Sequence, residues 1–335
     1  MNFSVLELCA GGGGQALGLE QAGFEAAGVV EIDPHCCSTL RMNRPDWNVI
    51  ESDVKEVSGR NFQNVDLVAG GVPCPPFSVA GKQLGREDER DLFPEALRII
   101  KESAPRAALL ENVQGFASSK FSDYRLWLKR QFAEMGYTTF MSVLNASNFG
   151  VCQLRPRFVC VALKSESADS FIWPDEMPCR ETVGDALIDL MSANNWPGSL
   201  SWKAKANAIA PTIVGGSKKH GGPDLGPTRA KRQWEKLSVD GKGIADEAPG
   251  NSVPAETNPR LTNRMVARLQ GFPDEWMFHG KKTAAYRQIG NAFPPPVSEA
   301  VGRAIAEALS GAKRRGYRKE TSGQLSFMEA KPSAQ

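Results

Sequence analysis

The 335-residue chain has no apolar run that approaches the length of a membrane span, so no transmembrane helix is expected. Met1-Asn2-Phe3-Ser4-Val5-Leu6 enters a strand-like segment directly, without the charged region and cleavage site of a secretory leader. Seven cysteines, an odd number, are scattered without Cys-x-x-Cys spacing. That pattern argues against a zinc site or a disulfide framework, and predicts reduced thiols, no metal and a cytoplasmic setting. Neither charge sign dominates: 40 Lys and Arg face 38 Asp and Glu, for a net charge of +2. The molecule as a whole is therefore no polycation, and any nucleic-acid surface must be local. No internal repeat is present. What remains is the composition of a globular protein, long enough for two domains or for one domain with an insertion.

The first 165 residues alternate strand-like and helix-like segments, the pattern of a mostly parallel α/β sheet. Candidate strands are Phe3–Cys9, Ala26–Ile32, Val65–Gly70, Ala107–Glu111, Thr138–Leu144 and Arg157–Leu163. Helical patterns at Ala16–Ala22, Pro34–Met42, Leu92–Lys101 and Tyr124–Met135 lie between them. From about Ser165 the texture changes: Gly, Pro, Ser, Lys and Trp become frequent, and helical periodicity fades until Leu261–Leu269. Between Leu200 and Lys242 stand nine Lys or Arg and three acids, either a solvated loop-rich insertion or the local basic surface that the net charge hides. The stretch that begins Gly311-Ala312-Lys313-Arg314-Arg315 reads as a polar, disordered tail.

Chemistry concentrates at the ends of the candidate strands. Pro73-Cys74-Pro75-Pro76-Phe77-Ser78 follows the apolar run Val65 to Val72, which places Cys74 where open α/β sheets bind ligands. The prolines fix the chain path around a potential thiolate nucleophile; a buried cysteine in a proline-rich turn is the structural alternative. Leu6-Glu7-Leu8-Cys9-Ala10-Gly11-Gly12-Gly13-Gly14 is a strand running into a glycine turn and then a helix, suited to close backbone approach by a ligand. Its spacing is not Gly-x-Gly-x-x-Gly, which disfavours a dinucleotide. Glu31 ends the second strand about 20 residues on, where an acid grips ribose hydroxyls, and Asp53 could accept from an adenine amino group. Together these suggest an adenosine-containing cofactor with a carboxylate tail. Glu111 closes a further strand and should face the same crevice as Cys74, with a helix-capping role as the alternative. Gln153-Leu154-Arg155-Pro156-Arg157-Phe158 sets two guanidinium groups two residues apart on an extended segment. The turn Tyr286 to Val297 then leads into an apolar helix that runs to Leu309.

This ordered series, with Arg260-Leu261-Thr262 through Leu269-Gln270-Gly271-Phe272-Pro273 and Gln288-Ile289-Gly290-Asn291-Ala292, resembles the bacterial DNA (cytosine-5)-methyltransferases over residues 3–163 and 257–310. The resemblance implies a Rossmann-like, S-adenosylmethionine-dependent α/β domain (1–165 plus 282–310), an inserted target-recognition domain (166–281) and a tail (311–335). By the same resemblance, Cys74 attacks cytosine C6, Glu111 hydrogen-bonds N3 and the exocyclic amine, Arg157 contacts O2, and Arg155 helps to hold the base and the active-site loop. S-adenosylmethionine would be held by Cys9, Gly11, Gly13, Glu31, Ile32, Asp53, Val54, Pro73, Asn291 and Ala292, and leave as S-adenosylhomocysteine. Cys9 and Ile32 depart from the family, which often has aromatics at both positions. Residues Phe77–Asp91, with Ser78, Lys82, Gln83 and Arg86, would form a loop that closes over the DNA. Thr212, Lys218, Lys219, Arg229, Lys231 and Arg232 are expected to contact double-stranded DNA, and Lys203 and Lys205 extend the basic set.

A monomer associated with the nucleoid is expected, together with a cognate restriction endonuclease as a functional partner. Gln324-Leu325-Ser326-Phe327-Met328 is similar to peptides that bind the replication sliding clamp. Three other readings stay open at this stage: an RNA cytosine-5 methyltransferase of the same fold, a catalytically silent DNA-binding homologue, and a nicotinamide oxidoreductase.

Overall fold

The computed structural model describes residues 3–73, 91–216 and 222–311. Cys74, Ser78, Lys82, Gln83, Arg86, Lys218, Lys219 and the Gln324–Met328 peptide lie outside the described residues.

Seven strands form one sheet: β1 (Phe3–Leu8), β2 (Phe24–Glu31), β3 (Val49–Glu51), β4 (Leu67–Gly70), β5 (Ala107–Val113), β6 (Tyr137–Asn145) and β7 (Pro156–Lys164). Their order is β3-β2-β1-β4-β5-β7-β6. The first five run parallel, whereas β7 is antiparallel to both of its neighbours. The central strands are buried on both faces, so they read as continuous apolar runs rather than alternating ones. The chain leaves β1 toward β2 and β3 on one side, then returns to β4 on the other. The carboxyl ends of β1 and β4 thus flank a topological switch point, where such sheets leave a crevice.

Helices α1 (Gly14–Gln21), α2 (Pro34–Asn43), α3 (Phe93–Ser103) and α4 (Ser122–Glu134) alternate with the strands, close to the helical patterns of the sequence. Beyond β7 come α5 (Ser165–Ala168), α6 (Val183–Ser192), α7 (Ser199–Lys205), α8 (Thr228–Glu235), α9 (Asn263–Leu269), α10 (Lys282–Asn291) and α11 (Pro295–Leu309). The region expected to be irregular therefore holds four helices before α9. Each is short. Helix α6 is fixed by a capping box between Thr182 and Asp185 and buries only Val183, Gly184, Leu187 and Met191. Helices α7 and α8 each bury one tryptophan, Trp202 and Trp234, so no apolar stripe long enough to read as periodic is present.

Two cores cover the faces of the sheet, one under α3 and α4 and the other under α11. A third core, built around Trp196, Trp202, Trp234 and Trp276, lies within the segment after β7. Tyr286 and Ile289 of α10 pack into this third core, together with Leu17 of α1 and Cys152, while α11 packs on the sheet. Among the described residues, no helix is long and apolar enough to cross a membrane.

Helices α1 and α11 meet at close range. A Cβ on Gly18 would lie 2.5 Å from the Ser298 Cβ and against the Pro295 carbonyl, while the Ser298 hydroxyl donates to the Gln15 carbonyl at 2.8 Å. Helix propensity alone favours Ala over Gly by about 1 kcal/mol. Gly18→Ala is nevertheless expected to destabilise the protein by about 1–3 kcal/mol, the usual cost of overpacking. Urea unfolding measures it, and a stabilised variant would mean that the α1–α11 seam can open.

Candidate active site

A cleft of about 700 Å³ opens at the switch point, lined by the ends of β1, β2, β4 and β5 and by the α10–α11 turn. After Leu8 the backbone turns through left-handed conformations at Cys9 (φ 54°), Gly11 (φ 57°) and Gly13 (φ 86°). The glycines take these without strain, whereas Cys9 is a non-glycine residue held there. A Cβ on Gly11 would meet nothing within 4 Å, so the turn presents open backbone to the cleft.

Glu31 organises this backbone. One carboxylate oxygen accepts from the Gly11 amide at 2.7 Å, and the other from the amides of Ile32 at 2.9 Å and Asp33 at 2.8 Å. Asp53 accepts from the Lys55 amide at 3.0 Å and starts a short turn that brings Val54 to the cleft wall. Ile32 lines the cleft while 62% exposed. Pro73, Asn291 and Ala292 complete the lining, so all ten cofactor positions proposed from sequence except Gly13 border one space. Gly13 stands behind the turn, where a Cβ would approach Trp276 and Leu40 to 2.8 Å.

Two polar side chains in this space escaped the sequence reading. Glu7, in β1, and Gln15, in α1, are buried and line the cleft, yet neither carboxylate oxygen of Glu7 nor either amide atom of Gln15 has a hydrogen-bond partner. Burial drives the Glu7 carboxyl well above the usual carboxylate range; the Ala16 amide lies near enough to oppose this in part but does not reach hydrogen-bond geometry. An acid inside the apolar strand Phe3–Leu8 was the available signal. Burial, then the carboxylates Glu31, Asp53 and Glu7, push the Cys9 thiol up to about 12, so it stays protonated and unreactive.

Further along the cleft, β5 carries Glu111. Arg157 of β7 approaches it, with Nε 3.0 Å from Oε1, and each side chain is about a tenth exposed (12% and 11%). Burial raises the Glu111 carboxyl even though Arg157 and Arg155 oppose the shift. The Asn112 amide donates to the Val72 carbonyl at 2.9 Å, which ties the segment leading to Pro73 onto β5 beside Glu111. Gly71 leaves room for the acid, since a Cβ there would sit 3.2 Å from Oε2.

Arg155 differs from expectation. It is fully buried and donates to the carbonyls of Ile213 (2.6 Å), Gly290 (2.8 Å) and Ala292 (2.9 Å), so its guanidinium is engaged by backbone and is not presented to a base. The extended geometry that would align it with Arg157 begins only at Pro156. The basic surface is also thinner than its sequence suggests. Lys231 is paired with Asp224 at 2.8 Å and Lys203 with Asp185 at 3.1 Å. Arg229 and Arg232 are exposed on α8, and the Thr212 hydroxyl donates to the Leu154 carbonyl. Among the described residues, no group of three or more His, Cys, Asp or Glu is placed to hold a metal ion.

A family model for C-5 cytosine-specific DNA methylases matches residues 3–307. The chain is 54% identical over 316 residues to the Type II methyltransferase M.NgoMIV of Neisseria gonorrhoeae, a match spanning 92% of this chain and 99% of that protein. It is 53% identical over 313 residues to the Type II methyltransferase M.NaeI of Lentzea aerocolonigenes, covering 92% and 76% respectively. In fold it is similar to a putative DNA modification methyltransferase encoded within an E. coli prophage (TM-score 0.64, 24% identity, 92% of this chain and 100% of that one). It is likewise similar to the S. pombe Dnmt2 methyltransferase (TM-score 0.60, 19% identity, 92% and 99%).

The role of Arg155 is open to a direct check. Arg155→Ala would leave the buried carbonyls of Ile213 and Gly290 without a donor, at about 1–3 kcal/mol each where no water replaces it, while Ala292 keeps the Gln270 amide at 2.7 Å. A loss of at least about 2 kcal/mol in urea unfolding is expected. An Arg155→Ala protein of normal stability that has lost only cytosine binding would restore the base-holding role.

Proposed function

Because the chain belongs to the C-5 cytosine-specific DNA methylase family, it is a DNA (cytosine-5)-methyltransferase, and we propose that the cleft at the switch point binds S-adenosylmethionine beside a cytosine held by Glu111 and Arg157. The observation that carries this reading is the convergence of two sets of groups in one cleft. The glycine turn with Glu31 and Asp53 forms one end, and Glu111, with Arg157 beside it, forms the other.

The residues fit the cofactor on chemical grounds. Glu31 and Asp53 stand at the ends of adjacent chain segments for a nucleoside, and the open backbone at Gly11 admits a close ligand. The orphaned Glu7 carboxyl and Gln15 amide offer partners to the ammonium and carboxylate of the methionine part. Bound there, S-adenosylmethionine supplies a methyl group on a positively charged sulfur.

The protein must do the rest. Cytosine C5 is a poor nucleophile until a nucleophile adds to C6. Cys74, the residue after Pro73 on the cleft wall, is assigned that addition by the family resemblance. A protonated Glu111 can give its proton to N3 as the thiolate adds, and burial keeps it protonated further up the pH scale than an ordinary glutamate. Arg157 remains charged at any working pH and can donate to the O2 of the base while orienting Glu111. The target cytosine has to leave the helical stack to reach them, at a cost of roughly a few kcal/mol. We assign catalysis to residues 1–165 and 282–310 and sequence readout to 166–281, with Arg229 and Arg232 of α8 meeting phosphates. The Type II methyltransferase relatives support a place in a restriction–modification pair, with a cognate endonuclease as functional partner.

Duplex DNA containing 5-fluorocytosine tests the covalent step, because its C5 substituent cannot be released as a proton. Wild-type protein with S-adenosylmethionine should form an adduct that survives denaturation, and Cys74→Ser should form none while still binding DNA. An equal adduct with the serine variant would place the nucleophile elsewhere.

The raised Glu111 carboxyl also sets a pH dependence. As pH climbs through its elevated pKa the carboxyl loses its proton, so single-turnover methyl transfer should fall along an alkaline limb. Glu111→Gln should lower the rate by about 10²–10⁴ and remove that limb, since an amide holds no transferable proton. A variant that keeps the limb would assign it to another group.

A further inference from the structure

The glycine turn is built from the most flexible residues in the chain, and its stiffness comes from far along the sequence. The peptide joining Gly12 to Gly13 is pinned from both sides. The Gly13 amide donates to the Ala10 carbonyl at 3.0 Å, and the Gly12 carbonyl accepts from the indole Nε1 of Trp276 at 3.1 Å. The Trp276 ring also stands where any Cβ at Gly13 would fall, at 2.8 Å, and Phe278 lies 3.3 Å from the corresponding position on Gly12.

Trp276 is fully buried in the third core, and the residues that follow it hydrogen-bond to α2. Residues 276–279 run along α2, the helix that begins just after Glu31. Asn43 exchanges hydrogen bonds with both backbone groups of Met277, at 2.8 and 2.7 Å. The Thr39 hydroxyl accepts from the His279 amide at 2.8 Å, and the His35 and His279 rings meet at 3.2 Å through their Nδ1 atoms. His35, Thr39 and Asn43 are spaced by four residues and form one stripe of α2. Arg44 stacks over Trp276 with its Cζ 5.2 Å from the ring centroid, and its guanidinium is held by Glu20 of α1. The 276–279 strap thus grips both structures that carry the cleft, the glycine turn and the helix behind Glu31.

We propose that Trp276 is a positioning residue for cofactor binding: it acts from behind the cleft by holding the Gly12–Gly13 peptide in its binding orientation. The inference rests on the reading that the cleft binds S-adenosylmethionine. Preorganisation of this kind changes affinity, because a loosened turn must be ordered when the ligand arrives. It leaves the methyl-transfer step alone once the site is filled. It also ties the core of the target-recognition segment to the cofactor turn through one side chain.

Trp276→Phe removes the indole N–H and keeps most of the ring. The dissociation constant for S-adenosylhomocysteine and the KM for S-adenosylmethionine should each rise about two- to tenfold, the worth of one hydrogen bond. The kcat at saturating cofactor should stay within about twofold, and amide exchange at residues 11–14 should quicken in the unliganded protein. Unchanged affinity with unchanged exchange would overturn the inference, as would a fall in kcat without a rise in KM. Should Trp276→Phe fail to fold, Asn43→Ala decides: it frees the strap at Met277 without touching the cleft, and unaltered S-adenosylhomocysteine affinity there would also overturn it. If the wild-type protein bound no S-adenosylhomocysteine, the reading of the cleft itself would fall, an outcome separate from wild-type binding that Trp276→Phe leaves intact.

Discussion

A guanidinium buried without a carboxylate is the constraint on which the rest of this structure depends. Arg155 is buried and, among the described residues, has no acid close enough to form an ion pair, so its charge is tolerable only where several carbonyl dipoles converge on it. Those carbonyls come from Ile213 and from the pair Gly290 and Ala292, two chain segments distant in sequence from each other and from β7. Satisfying one side chain therefore fixes where the recognition segment and the α10–α11 turn meet the end of the sheet. Asn291 and Ala292 reach the cofactor cleft as a consequence, and Arg157, two residues on, is left free to face Glu111.

The cleft that results is rich in carboxyl groups whose environments differ. Glu31 accepts from three backbone amides, which fixes its place and orientation and leaves an acceptor site on the oxygen that holds Gly11. Glu7 has no partner, and Glu111 has an arginine, yet burial raises both. Separate environments let one acid serve as a rigid acceptor while another carries a proton, the usual way in which a single fold divides acid and base roles. Cys9 is pushed up to about 12 by burial beside these acids, so it contributes shape and not nucleophilicity.

Much of this was legible in the sequence, because strand ends carry their chemistry next to strong local signals. The glycine turn, Glu31, Asp53 and Glu111 each follow an apolar run, and the structure brings all four to one cleft. Glu7 was passed over because it sits inside such a run, where a pattern reader expects apolar character and a ligand site is invisible until burial is known. For Arg155 and Arg157, alternation puts both on one face only if the strand already runs there, and β7 begins at Pro156. The helices after β7 escaped because each is anchored by one or two large residues. A single tryptophan, such as Trp202 or Trp234, buries as much surface as a short stripe of aliphatics and leaves no period to find.

Specificity and chemistry must be joined without being made dependent on the same side chains. The contacts that dock the recognition segment here are largely between a side chain of the catalytic part and backbone of the inserted part: Arg155 to the Ile213 carbonyl, Gln153 to the Ile213 amide at 2.9 Å, and Asn43 to both backbone groups of Met277. A backbone group is present whatever residue stands at the position. Side chains of the inserted segment can then change, and with them the base edges they read, while the docking geometry persists. Side chains of the inserted segment also reach back at Thr212, Gln270, His279 and Trp276, and of these Trp276 is the one that holds the Gly12 carbonyl. It is therefore the point at which a change in the recognition core would be felt first by the cofactor turn.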